Sequence, residues 1–168
     1  HGELGLVFDE FKQDYDGAEK HYRKVIELDP KDAIVHYNLG MLLEEHKQDF
    51  DEAEKHYRKA IEIDPTDAGY HHNLSQFLHK QRQDFDGAEH HYRMTIKLDP
   101  QRAVAYRDLG FLLEHHRQDL KGAEKHYCKA IEIEPENANA HYNLGVLLKK
   151  HKQDFDGAEK HYRKAIEI

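Results

Sequence analysis

Residues 48–65 read QDFDEAEKHYRKAIEIDP, and this stretch decides the fold. It returns with small changes from Gln13, Gln83, Gln118 and Gln153, always 35 residues apart. Between residues 48–63 and 153–168 one position differs, Glu52 against Gly157. A fixed period of this size marks an array of stacked supersecondary units. The positions that stay constant define the unit. Ala53, Tyr57, Ala60 and Ile61 lie at helical spacing and share one face. Ala18, Tyr22, Val25 and Ile26 repeat that face, as do Ala158, Tyr162, Ala165 and Ile166. Small Ala beside large Tyr lets a second helix approach while the ring fills the space. Asp51, three residues before Glu54, reads as a capping-box-like start. Glu54 and Arg58 form an i,i+4 pair on the outer side. Asp64-Pro65 ends the helix, because proline disfavours helical geometry in the residue before it.

The other half of the unit lies over residues 33–48. Leu39, Leu42 and Leu43 make a second apolar stripe, and Gly40 sits inside it. Glycine in a helix costs about 1 kcal/mol relative to alanine, so close helix–helix contact is expected there. Gly5, Gly110 and Gly145 repeat the position, and Ser75 is a small substitute. The unit is helix, short turn, helix, then a turn marked by proline.

Asn38-Leu39-Gly40 followed by Phe50, Ala53, Tyr57, Ala60 and Pro65 resembles the tetratricopeptide repeat, over the whole chain and in nearly five copies. The resemblance implies an all-α fold: a right-handed α-solenoid of stacked antiparallel helix pairs. The units span approximately residues 1–32, 33–67, 68–102, 103–137 and 138–168, the first and last incomplete, in a single array. Two departures stand out. The family unit has about 34 residues, and the additional residue here falls in the turn His46-Lys47-Gln48-Asp49. The glycine usual in that turn is missing.

Composition narrows the function. The apolar fraction of 38% suits a thin two-layer stack with much exposed surface. The net charge of −8, from 33 acids and 25 bases, argues against nucleic acid as partner. No run of residues is apolar enough to suggest a membrane span. The one cysteine, Cys128, rules out an internal disulfide and is compatible with a cytoplasmic setting. His1 aligns with His36, inside a first helix, and Ile168 aligns with Ile63, before the proline stop. The sequence therefore reads as a piece of a longer array, or as a chain whose ends stack on further copies.

In tetratricopeptide proteins the first helix of each unit lines a concave groove that binds peptides. The resemblance places there Tyr37, Asn38, Met41, Glu44 and Glu45, then His72, Asn73, Gln76, His79 and Lys80. Arg107, Phe111, Glu114 and His115 follow, then Tyr142, Asn143, Val146, Lys149 and Lys150. These positions vary between copies, which fits either a binding surface or plain solvated variation. Their charges run from Asp9-Glu10 and Glu44-Glu45 to Lys149-Lys150, an order that would orient a bound peptide or draw molecules head to tail. A carboxylate clamp of the kind chaperone adaptors use has its asparagines in Asn38, Asn73 and Asn143. Only Arg107 supplies a basic partner, so chaperone-tail binding is not expected.

Sixteen histidines invite a metal or pH reading. His21, His56, His91, His126 and His161 form a column, one per unit, read first as a half-buried packing position copied by duplication. No His-x3-His pair offers metal spacing, so no metal or cofactor is expected. Titration of the column near pH 6.5 is the alternative. Cys128 replaces the arginine of Arg23, Arg58, Arg93 and Arg163 and has no paired base. Asn73-Leu74-Ser75 is a sequon by letters but falls mid-helix. No catalytic set emerges. The expectation is a non-catalytic interaction scaffold binding a peptide or partner protein in its groove. The alternative is a structural protein that assembles end to end.

Overall fold

The computed structural model describes residues 14–168. The chain divides into two compact units, one running to Arg82 and one from Gln83. The described residues form nine α-helices and no strand. The first unit holds α1 (Tyr15–Leu28), α2 (Ala33–Leu42), α3 (Phe50–Ile63) and α4 (Ala68–Phe77). The second holds α5 (Phe85–Leu98), α6 (Ala103–Leu112), α7 (Leu120–Ile133), α8 (Ala138–Leu147) and α9 (Phe155–Glu167). Within each unit consecutive helices pack on one another, and in the second unit α6 also touches α8. This is the α-solenoid of helix pairs that the repeat implies.

The longer helices start two residues earlier than the sequence suggested. Their caps are Asp14, Asp49, Asp84, Asp119 and Asp154, not the position of Asp51. Asp49 accepts from the Glu52 amide at 3.2 Å, and Asp84 from the Gly87 amide at 2.9 Å. An aspartate there satisfies an orphan N–H and favours the positive end of the helix dipole. Asp51 is thereby left for another task, described below. The expected pair of Arg58 with Glu54 is present at 2.9 Å.

Each α2-type helix ends in a π-helical turn: Leu43–Lys47, Leu78–Arg82, Leu113–Arg117 and Leu148–Lys152. A π turn takes one residue more than an α turn, so the thirty-fifth residue of the unit is absorbed from Leu43 onward and not in the loop alone. The turn closes with the Asp49 amide donating to the Leu43 carbonyl at 3.0 Å. Gln48, Gln83, Gln118 and Gln153 take φ of 54–56°, the left-handed position that glycine would fill without strain.

The two stripes meet in the core. Ala53, Tyr57 and Ala60 of α3 are buried with Leu39, Leu42 and Leu43, as are Ala123, Tyr127 and Ala130 of α7 with Leu109, Leu112 and Leu113. Each such leucine contributes about 2 kcal/mol. The glycines are explained by contact. A Cβ on Gly40 would lie 3.0 Å from Tyr57 Cδ1 and 3.3 Å from the Ala53 carbonyl oxygen. On Gly110 it would lie 2.8 Å from Tyr127 Cε1, and on Gly145 2.8 Å from Tyr162 Cε1. Ser75 fits fully buried because its hydroxyl donates to the His72 carbonyl at 2.6 Å. Gly5 lies outside the described residues.

Candidate functional site

In the first unit the candidate groove residues divide into exposed and committed groups. Tyr37 packs between Tyr57 and Tyr70, with ring centroids 6.1 and 5.1 Å away. Glu44 accepts from the Tyr57 hydroxyl at 2.7 Å and from Gln81 Nε2 at 3.4 Å. Burial and then that carboxylate push the Tyr57 phenol well above its ordinary range. Asn38 and His72 are buried. Asn73 donates back to the Gly69 carbonyl at 2.9 Å, a helix-internal bond. Glu45 and Lys80 face solvent, and Met41, Gln76 and His79 are half-buried. Asp9-Glu10, the first step of the charge order, lies outside the described residues.

In the second unit the exposed group is larger. Phe111 is 38% exposed, stacked on His115 at 4.1 Å, and Tyr142 is 56% exposed. Lys149 and Lys150 are exposed in the turn after α8, while Asn143 and Val146 are half-buried. Glu114 is buried: it accepts from the Tyr127 hydroxyl at 3.0 Å, and its other oxygen lies 3.4 Å from His151 Nε2. Arg107 donates to Asp108 at 2.6 and 2.8 Å. The one basic residue that suited a carboxylate clamp therefore already holds a carboxylate.

Sequence reasoning missed a ladder of cations. The last residue of each π turn reaches back to the second helix of the preceding pair. Lys47 meets Asp16 and Glu19, and Arg82 meets Asp51 and Glu54. Arg117 meets Asp86 and Glu89, and Lys152 meets Glu124 with both bonds at 2.8 Å. The Asp51 carboxyl is held below its usual range by the Arg82 guanidinium. The signal was present as a basic residue recurring 31 residues after an aspartate, but a 31-residue separation has no meaning until the helices are stacked. Rings beside these cations stack too: Tyr15 on His46 at 3.7 Å, and Phe85 on His116 at 3.8 Å.

The histidine column proves half-buried, as read, but paired. His36 Nδ1 lies 2.9 Å from His56 Nδ1, and His141 Nδ1 lies 2.9 Å from His161 Nδ1. The proline carbonyls fix the tautomers. His36 Nε2 faces the Pro30 carbonyl at 3.3 Å and His141 Nε2 the Pro135 carbonyl at 3.1 Å; a carbonyl only accepts, so these nitrogens carry the protons. The Nδ1 of His36 and His141 then accept, and His56 and His161 donate. Burial, followed by the neighbouring His36, pushes His56 down to about 4. Burial also lowers His36, His126 and His161. At the two equivalent positions between His36 and His141, His71 Nε2 faces the Pro65 carbonyl at 3.2 Å and the Tyr106 hydroxyl donates to the Pro100 carbonyl at 3.3 Å.

Cys128 is exposed, and burial of its sulfur and then Glu124 raise its thiol above the ordinary value, the reverse of an activated nucleophile. Among the described residues no group of three or more His, Cys, Asp or Glu side chains could hold a metal ion. Among them, too, no helix is long and apolar enough to cross a membrane.

Comparison with known proteins follows the same line. Tetratricopeptide repeat models match residues 11–68, 56–89 and 138–168, and a TPR repeat model matches residues 112–152. No curated protein matches the chain. Among solved structures, a crystal structure of MamA is 26% identical with a TM-score of 0.86, over 98% of this chain and 93% of that one. YrrB, described as a TPR protein with an unusual peptide-binding site, is 23% identical with a TM-score of 0.78, over 98% and 82%. Pseudomonas aeruginosa pilF is 21% identical with a TM-score of 0.86, over 99% and 73%. At that identity the last two show the fold alone. The four matches along the chain, the 35-residue period and the glycine-on-tyrosine packing place this protein in the tetratricopeptide repeat family.

Proposed function

We propose that this protein is a non-catalytic scaffold whose second unit binds an acidic segment of a partner protein along the face of α6 and α8. One observation carries the reading. Phe111 and Tyr142 are large, exposed rings on helices that touch, and Lys149 and Lys150 stand exposed in the turn after α8. Rings at a surface supply contact area with little rotamer entropy to lose, and two ammonium groups supply the sign of the partner. The interaction-scaffold character of the repeat family supports it.

The test is titration of a labelled acidic peptide library against the purified chain by fluorescence anisotropy. Binding that falls at least tenfold in Tyr142→Ala and in the Lys149→Glu, Lys150→Glu double variant supports the reading. Equal binding of basic and acidic peptides, unmoved by both variants, sinks it.

A further inference from the structure

Two open recesses in the second unit are copies of one another. One, of about 530 Å³, lies where α6 meets α7 and is bordered by Tyr106, Lys125, His126 and Lys129. The other, of about 470 Å³, lies where α8 meets α9 and is bordered by His141, Lys160, His161 and Lys164. Each residue of the first stands 35 positions before its counterpart in the second. A cavity that recurs at the repeat period belongs to the repeat itself, and the first copy has α8 and α9 packed after it.

The two share a ring wall and a charged rim. Tyr106 and His126 have ring centroids 5.9 Å apart, and His141 and His161 5.1 Å. Ile131 and Pro135 add apolar surface to the second recess. The nitrogens of His141 are already engaged, with His161 and with the Pro135 carbonyl, so recognition of charge falls to the lysines. These stand one helical turn apart on each helix. Lys125, Lys160 and Lys164 make no ion pair among the described residues. Each recess also carries an acid, Glu132 or Glu167, and Lys129 holds Glu132 at 2.6 Å. The first unit differs. There the equivalent lysines of α3 are neutralised, Lys55 by Glu52 and Lys59 by Glu62. Gly122 and Gly157 stand where Glu52 stands, so α7 and α9 lack the acid that would hold Lys125 and Lys160.

We propose that each recess binds one molecule of a small aromatic acid, its ring against the paired rings and its phosphate or carboxylate on the lysines. Both volumes fall within the range of about 300–1,000 Å³ typical of small-ligand sites. The ring wall supplies apolar contact and orientation, and the ammonium groups supply charge-assisted bonds to the anion. None of these residues belongs to the surface of Phe111, Tyr142, Lys149 and Lys150, so the two sites stand or fall separately.

The experiment is calorimetric titration of the full chain with naphthyl phosphate, naphthol and inorganic phosphate. Two naphthyl phosphates are expected per chain, bound on the order of tenfold more tightly than either fragment. Cys128, the one cysteine, is exposed and borders the first recess. Its alkylation by neutral iodoacetamide is expected to slow when naphthyl phosphate is bound, which reports that recess alone. Gly122→Glu and Gly157→Glu install the acid of the first unit, and each is expected to remove one of the two sites; only Gly122→Glu abolishes the protection of Cys128. The same glutamate already sits under the Asp49 cap as Glu52, and an unchanged far-ultraviolet circular dichroism melt confirms folding. Lys125→Ala and Lys160→Ala, at exposed positions, are expected to weaken the same two sites in the same order. Naphthyl phosphate bound no more tightly than naphthol, or bound equally by wild type and all four variants, overturns the proposal. A Cys128 rate that naphthyl phosphate leaves unchanged overturns the site at α6 and α7 and, with it, the equivalence of the two recesses.

Discussion

Acidification should weaken the first unit through the His36–His56 pair. The unfolded imidazole takes its proton near pH 6.5, whereas His56 in the fold takes it at about 4. Between these values the unfolded chain binds more protons, so stability falls as pH falls; above pH 6.5 the contribution is fully present. Each pH unit in that window costs about 1.4 kcal/mol, giving an upper bound of about 3 kcal/mol by pH 4. Burial is the main cause for His56, and the neighbouring His36 adds to it. One proton lies between the two Nδ1 atoms, and a proton on the accepting Nδ1 of His36 would set two N–H groups head on at 2.9 Å. The charges around the pair are mixed: Asp32 and Glu62 favour protonation of His36, while Lys59 opposes it. Glu52 favours protonation of His56, while Arg23 and Lys55 oppose it. Urea unfolding from pH 7.5 to 4.5 should show the loss, and His56→Gln, which can still donate to His36 Nδ1 but does not titrate, should flatten it. The direct assay is an NMR titration of the His56 ring. Native titration near 6.5, or an acid profile unchanged in His56→Gln, would refute the reasoning.

Three further outcomes follow from the packing. Gln48→Gly should stabilise by about 1 kcal/mol in thermal unfolding, since Gln48 holds φ at 54° and left-handed backbone costs a Cβ-bearing residue about that much; a destabilised variant would show that its side chain matters more than its backbone. Gly110→Ala should destabilise by about 1–3 kcal/mol despite alanine's better helix propensity, because its Cβ would sit 2.8 Å from the Tyr127 ring. Pairing it with Tyr127→Phe, which keeps the ring but drops the bond to Glu114, should leave that cost unchanged. Arg82→Ala should lower the melting temperature more than Lys59→Ala, because Arg82 bridges two helix pairs through Asp51 and Glu54 whereas Lys59 pairs only with Glu62 on its own helix. The difference should shrink in 1 M salt, and equal effects would mean that the bridge contributes nothing.

The sequence by itself determined what lies at helical spacing and what must lie close. The Ala53–Tyr57–Ala60 face, the stop at Asp64-Pro65 and the contact demanded by Gly40 were all legible, because each depends on neighbours three or four residues away or on a missing Cβ. Repetition supplied the stacking, since one helix pair cannot bury its own apolar face. Tertiary structure alone decided the rest. Asp51 looked like half of a capping box until Asp49 took the cap and Arg82, 31 residues on, took Asp51. The histidine column was legible as a half-buried packing position, but only the packing of α2 on α3 brought His36 and His56 within 2.9 Å. Asn38, His72 and Glu114 stood with the surface residues in register yet are buried. All of these depend on helices from different parts of the period coming together. At each approach a π turn takes up the extra residue of the period, and no local rule of spacing contains it.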